Sequence, residues 1–250
     1  MTKITFITGG SGGLGTDTAL ALAQAGNNII FTYRNSEDGA KQTLSQLEDL
    51  GVKAQYLELD VTDAEAILAL PEKLRPILNE WGATGIDYLV NNAGFGAYLP
   101  VGNGKLETVE QLFSVHFRGP YLLIENLLDL LNDGGGIVNV STGLTRFALP
   151  GYGPYAAMKG ALETYTKYLA KELGGRGIRA NLIAPGAIDN EFNAAAFEHN
   201  PQIVEAIAAN TALGRVGKSA DIGKVVAFLC SDAAGWVNAQ RLEASGGMFL

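Results

Sequence analysis

Cysteine is almost absent from this 250-residue chain. Cys230 stands alone, which excludes an internal disulfide framework and a cysteine-based metal site, and no metal is expected. Proline is scarce too, with eight residues against 32 glycines. With 47% hydrophobic residues, this is the composition of a globular chain with an ample core and many tight turns. Positive charge is thin: the formal net charge is −8, and Lys and Arg are scattered without a basic block. Nucleic-acid binding by phosphate neutralisation is therefore not expected. No apolar run approaches the length of a membrane span, and the glycines begin at Gly9, too early for a signal-peptide core to precede them. A cytoplasmic protein is expected.

What is present is organised around Ile4 to Gly15, ITFITGGSGGLG. A short apolar run, Ile4, Phe6 and Ile7, ends in Thr8 and a cluster of glycines. From Leu14 the pattern turns helical, with Leu14, Ala19, Leu20, Leu22 and Ala23 at three- and four-residue spacings. Strand, glycine turn and helix together bring backbone N–H groups and a helix N-terminus up to a pyrophosphate. Gly10, Gly12 and Gly15 fit the spacing G-x-G-x-x-G, and Gly9, Gly13 and Gly15 fit T-G-x-x-x-G-x-G. A flexible loop without a ligand is the competing reading.

Strand and helix patterns then alternate to the end of the chain. Strands are expected at Asn28 to Thr32, Val52 to Leu59, Ile86 to Val90, Gly136 to Ser141, Ile178 to Ile183 and Arg241 to Ala244. Helices are expected from Ser36 to about Leu50, in two short pieces around Pro71, from Leu106 to Leu131 with a bend at Gly119-Pro120, from Tyr155 to Leu173, after Pro201, and from Ser219 or Asp221 to Cys230. Such alternation implies a parallel sheet covered on both faces, with ligands at its C-terminal edge. No linker or repeat divides the chain, so one α/β domain is expected over residues 1–250.

A second constellation is Tyr155-Ala156-Ala157-Met158-Lys159. Four residues apart on a helix, the Lys159 ammonium shares a face with the Tyr155 phenol. A neighbouring cation favours the phenolate and lowers a pKa that is ordinarily ~10. A tyrosine so tuned exchanges a proton with a carbonyl or alcohol oxygen. An exposed Tyr–Lys pair is the alternative for an isolated motif of this kind.

Taken with Thr8–Gly15, Asp60, Asn91–Gly94, Pro185-Gly186 and the terminal Ala244-Ser245-Gly246-Gly247, the pair resembles the short-chain dehydrogenase/reductase family over essentially the whole chain. The resemblance implies a single-domain Rossmann-type, doubly wound parallel sheet of about seven strands. It also implies hydride transfer between a nicotinamide and a carbonyl/alcohol pair. By motif, Tyr155 is the acid/base, and Lys159 lowers its pKa and holds the nicotinamide ribose. Gly9, Ser11, Gly12, Gly13, Leu14 and Gly15 cradle the pyrophosphate, and Tyr33, Arg34 and Asn35 meet the adenosine ribose. Asp60 and Val61 contact the adenine. Asn92, Ala93 and Gly94 line the cleft, and Pro185, Gly186 and Ile188 flank the nicotinamide. Residues 187–213 resemble the family's substrate lid. Phe95, Leu144, Tyr152, Phe192 and Phe197 face substrate or pack the core.

Two positions depart from the family's pattern. The hydroxyl thirteen residues before the tyrosine belongs to Thr142 rather than a serine, with Ser141 one residue earlier. Either supplies a donor, and the alternation of a strand favours Thr142. His116 stands where the family has an asparagine, as a relay member or as a packed helix histidine. In the relay it would lie near Lys159, stay neutral with a pKa below ~6.5, and cost activity on the acid side when protonated.

At the end of the second strand, Tyr33-Arg34 replaces the acid expected for a ribose 2′-OH, and Arg34 suits a 2′-phosphate. NADP(H) is therefore preferred, with NAD(H) possible. A ketone or 3-oxoacyl reductase is expected. The alternatives are an alcohol or sugar dehydrogenase and a non-catalytic, cofactor-binding sensor or scaffold. The family's usual assembly implies a homotetramer.

Overall fold

The computed structural model describes residues 2–190, 193, 194, 197, 198 and 201–250. Its strands are β1 (Ile4–Ile7), β2 (Asn28–Tyr33), β3 (Ala54–Glu58), β4 (Ile86–Asn91), β5 (Leu131–Val140), β6 (Arg179–Pro185) and β9 (Arg241–Ala244), with the short pair β7 (Ile188–Asp189) and β8 (Gly217–Lys218). The first seven form one parallel sheet in the order β3-β2-β1-β4-β5-β6-β9, and β7 pairs with β8 separately. Strand order reverses between β1 and β4. There the connections leave in opposite directions, and a crevice opens at the C-terminal edge.

The helices are α1 (Gly13–Gln24), α2 (Glu37–Asp49), α3 (Ala64–Leu68), α4 (Leu70–Glu80), α5 (Leu106–Phe113), α6 (Gly119–Leu127), α7 (Gly153–Glu172), α8 (Pro201–Ala209) and α9 (Ser219–Leu229). They cover both faces because successive strand residues point in opposite directions. Phe6, Ile30 and Ile137 join a core with Leu74, Leu123, Leu127 and Leu169, whereas Ile7, Ile29, Phe31 and Val138 join another with Leu22, Leu47, Ile222 and Val226. Burial of each such side chain stabilises the fold by roughly 1.5–3 kcal/mol. Close approach also requires particular residues. A Cβ on Gly223 of α9 would lie 2.6 Å from the Asp17 carbonyl oxygen of α1. Among the described residues no helix is long and apolar enough to cross a membrane.

Two expected elements differ. Strand β5 begins at Leu131, not Gly136, because Leu131 already pairs with Ile86 before an irregularity in the ladder. The glycines there make the bulge possible: Gly134 has φ +76°, and a Cβ on Gly135 would meet the Asp87 carbonyl oxygen at 2.2 Å. The expected long helix from Leu106 to Leu131 is broken by a π-helical turn, Ser114–Arg118, instead of a simple bend. Pro120 has no N–H to donate one turn back. Gly119 presses against strand-end backbone, where a Cβ would be 2.6 Å from the Val61 carbonyl oxygen. The widened turn carries His116. Around Pro71, α3 and α4 form the two short pieces expected, with Pro71 in the first turn of α4.

Candidate active site

At the sheet's switch point, β1 runs through the glycine turn into α1. Gly9 (φ +71°) and Gly13 (φ +50°) take left-handed conformations. A Cβ on Gly15 would lie 1.9 Å from the Gly9 carbonyl oxygen. All three glycines of the T-G-x-x-x-G-x-G spacing are thus required by conformation or close approach, and Gly10 of the other spacing is required too, since a Cβ there would lie 2.7 Å from the Phe31 Cβ. Gly12 precedes α1 in extended backbone without a side-chain cap, and no acid stands in the first helical turn. The first amides of α1, around Ser11 to Leu14, are left to an anionic ligand, and the macrodipole favours one.

Thr8 and Asn92 lock this turn to the end of β4. The Thr8 hydroxyl accepts from the Asn92 and Ala93 amides, both at 3.0 Å. The Asn92 side chain donates to the carbonyls of Thr8 at 2.9 Å and Gly9 at 3.0 Å. Gly94 follows against His116. Asp60 accepts at 2.8 Å from both the amide and the hydroxyl of Thr62, which orders the β3 exit ahead of buried Val61. Tyr33 ends β2 half-buried, edge-on to Tyr56, and Arg34 and Asn35 are exposed. Glu37 and Asp38 begin α2 and pair with Lys41, as acids in a first turn should. On the other wall Pro185 and Gly186 leave β6, and Ile188 is buried. These residues fit a dinucleotide. The sequence did not single out Asn190, whose buried Oδ1 has no partner among the described residues and whose side chain overhangs Gly13.

The catalytic candidates converge where β5 faces α7. Lys159 donates to the Val140 carbonyl at 2.6 Å, Ser141 donates to Glu163 Oε1 at 2.5 Å, and the Thr142 hydroxyl lies beside the Tyr155 phenol, favouring its charged form. One residue earlier, Asn139 donates to Thr166 at 2.9 Å. Four consecutive residues of one segment are tied to four positions of one helix. Strand alternation does not separate Ser141 from Thr142, because β5 ends at Val140. Their partners do. The Leu144 amide donates to Thr142 Oγ1, leaving that hydroxyl's proton for Tyr155, whereas Ser141 is spent on Glu163.

The expected tuning of Tyr155 by Lys159 is corrected. Burial pushes Tyr155 up to about 12, opposed by the Thr142 hydrogen bond, and pushes Lys159 down to about 7. Losing water disfavours the phenolate more than a cation 6.0 Å from the ring centroid favours it. The phenol stays protonated, the form needed to give a proton away.

His116 is buried, edge-on to the Tyr155 ring at 5.0 Å. Its Nε2 meets the Phe95 carbonyl at 2.8 Å, so that nitrogen carries the proton; Nδ1 is then an acceptor, without a partner among the described residues. Burial, helped by the charge of Lys159, pushes its pKa down to about 3, the direction expected. The imidazole is therefore neutral throughout about pH 5–9, and an acid-side loss of activity from its protonation falls below that range. The effect belongs to stability. Between pH about 6.5 and about 3 the unfolded chain binds a proton that the folded chain refuses, so lowering the pH through that window reduces stability by up to about 1.4 kcal/mol per unit. Urea midpoints measured from pH 7 to pH 4 should show His116→Asn flattening that slope. Parallel slopes in both proteins would contradict the assignment.

Around the phenol, Phe95 and Leu144 pack with Leu99, Leu112 and Met158, and Tyr152 meets Tyr98 edge to face at 5.8 Å. Phe197 is half-buried, and Phe192 lies outside the described residues.

A family model described as enoyl-(acyl carrier protein) reductase matches residues 9–249. Among solved structures, the reductase LugOII, described as catalysing keto-reduction at C1 during lugdunomycin biosynthesis, is 36% identical with a TM-score of 0.93, covering 99% of this chain and 98% of that one. The angucycline C-6 ketoreductase LanV with bound NADP is 34% identical, TM-score 0.93, covering 99% and 95%. Tetrahydroxynaphthalene reductase PfmaG of Pestalotiopsis fici is 31% identical over 98% of this chain and 91% of its own. With a family model matching residues 9–249, relatives 31–36% identical over nearly the whole chain and a seven-stranded parallel sheet, the chain belongs to the short-chain dehydrogenase/reductase family.

Proposed function

We propose that this enzyme reduces a ketone on a fused-ring, aromatic-polyketide-type scaffold to a secondary alcohol. It is an NADP(H)-dependent oxidoreductase acting on a carbonyl/alcohol pair. The observation that carries the reading is the buried Tyr155 phenol beside the Thr142 hydroxyl, beneath an apolar, aromatic surround. A nicotinamide bound in this cleft would supply the hydride. Two hydroxyls of the protein then meet the substrate oxygen. With substrate present, Thr142 turns its one proton from the phenol to that oxygen and stabilises the charge that develops as the carbonyl is reduced. Tyr155, kept protonated by burial, gives the proton that completes the alcohol. Lys159 would hold the cofactor's ribose from the same helix face. The flat rings of Phe95, Tyr98 and Tyr152 suit a planar substrate, in keeping with the tetrahydroxynaphthalene reductase and the angucycline ketoreductase among the relatives.

Residues 187–213 act as the substrate lid in this reading. One end is held by the β7–β8 pairing and the other by the Thr211–Met248 bridge. The test of substrate class is steady-state NADPH oxidation with 1-tetralone against an acetoacetyl thioester. The fused-ring ketone should give the higher kcat/KM. The reverse order would move the enzyme to 3-oxoacyl substrates, and binding of NADPH without turnover on any ketone would favour a sensor.

The assembly we propose is a homotetramer. Phe113, Tyr121 and Tyr168 are 42%, 40% and 61% exposed, and Phe113, Phe117, Tyr121 and Tyr165 form a run of touching rings across α5, the π turn, α6 and α7. A contiguous apolar face of this kind suits a second copy of the chain. Sedimentation should give the mass of four chains, and the mass of one chain at micromolar concentration would contradict it.

A further inference from the structure

Glu163 lies one helical turn beyond Lys159 and two beyond Tyr155, on the same face of α7. Three donors converge on one of its oxygens, Oε1: Ser141 Oγ at 2.5 Å, Thr145 Oγ1 at 2.7 Å and Arg241 Nε at 2.8 Å. Ser141 and Thr145 bracket Thr142, so this carboxylate grips both ends of the turn whose hydroxyl meets the phenol. The guanidinium of Arg241 completes the grip. Its Nη2 donates to the Thr142 carbonyl at 2.9 Å and to Thr145 Oγ1 at 3.1 Å, while Nη1 donates to Glu243 at 3.0 Å. Only a rigid, planar fork serves these partners at once.

The network continues to the end of the chain. Arg146, on the far side of the same turn, donates to both oxygens of Glu243 at 2.7 and 2.8 Å and to the carbonyls of Met248 at 2.5 Å and Phe249 at 3.0 Å. Glu163 and Arg241 are mostly buried, with side chains 18% and 22% exposed. Ionic groups held this far from water are costly unless every one is well paired, and a fully paired network of this kind rigidifies the elements it joins.

We infer that Glu163, braced by Arg241, is a positioning residue: it fixes the Ser141–Thr145 turn to the helix bearing Tyr155, so that the Thr142 hydroxyl stays on the phenol. This rests on the catalytic reading of Thr142 and Tyr155. Displacing the hydroxyl by a fraction of an ångström to 1 Å costs up to about a hundredfold in rate. Cofactor binding, which uses the glycine turn, should be spared.

The test is a double-mutant cycle read in kcat with 1-tetralone and NADPH. Glu163→Gln should lower kcat by roughly ten- to a hundredfold and leave the NADPH Kd within about threefold. In a Thr142→Ala background the same change should cost almost nothing further, because the hydroxyl it positions is gone. Losses that multiply, or an unchanged kcat in Glu163→Gln, would overturn the inference. Should Glu163→Gln fail to fold, Ser141→Ala removes one of the three donors with little change of volume. The same cycle is then run with it, a severalfold loss absent from the Thr142→Ala background being expected and a multiplying or absent loss overturning the inference. Tyr155→Phe, assayed alongside, separates the two levels: if that variant keeps wild-type kcat, the catalytic reading itself has failed, whatever the cycle gives.

Discussion

Tyr155→Phe should lower kcat by on the order of a thousandfold or more while leaving NADPH affinity nearly unchanged. The substitution removes one oxygen from a buried ring, and the ring's packing against His116, Leu99 and Leu112 survives. The Thr142 hydroxyl loses a partner but keeps the Leu144 amide, so the fold should lose no more than about 1–2 kcal/mol. What disappears is the proton donor. Thr142 cannot replace it, since an aliphatic hydroxyl gives up a proton far less readily than a phenol. A variant that retained more than about a tenth of wild-type kcat would remove this helix from the chemistry.

Arg34→Ala should weaken NADPH by about 10- to 150-fold and leave NADH within about twofold, the loss of a charge-assisted pair contributing roughly 1.5–3 kcal/mol. Arg34 is exposed just past β2, and no ion pair engages it among the described residues. The nearby acids are turned to Lys41 instead, Glu37 at 3.2 Å. Position and freedom both suit a 2′-phosphate. Calorimetric titration of both cofactors decides it: equal losses would give Arg34 a structural role, and a wild-type preference for NADH would overturn the assignment.

The features legible in the sequence were those written in adjacent residues. The glycine turn announces itself because a strand, positive-φ positions and a helix start fall within a dozen residues, and the conformations of Gly9 and Gly13 bear this out. Tyr155 and Lys159 share a helix face by spacing alone. Long-range backbone approach is harder to see. The π-helical turn at His116 depends on Gly119 pressing against Val61, 58 positions away in the chain, and the early start of β5 on Gly135 passing Asp87. The Glu163 network was invisible for the same reason, since Arg241 reaches Glu163 across 78 residues of sequence. Only the series Tyr155, Lys159, Glu163 hinted at it. The electrostatics of the pair failed differently. Spacing predicts a cation beside a phenol, but only the folded structure shows how completely both are desolvated, and desolvation decides the sign for each.

The central claim is that this site delivers a hydride from a bound nicotinamide to a ketone carbon and a proton from Tyr155 to its oxygen. Mass spectrometry of the alcohol formed from 1-tetralone, with NADPH deuterated at one or the other face of its transferable ring position, tests it most directly. One of the two labelled cofactors should place a single deuterium on the carbinol carbon in every product molecule, and the other should place none. An alcohol free of deuterium from both, or NADPH bound with no alcohol formed, would contradict the account.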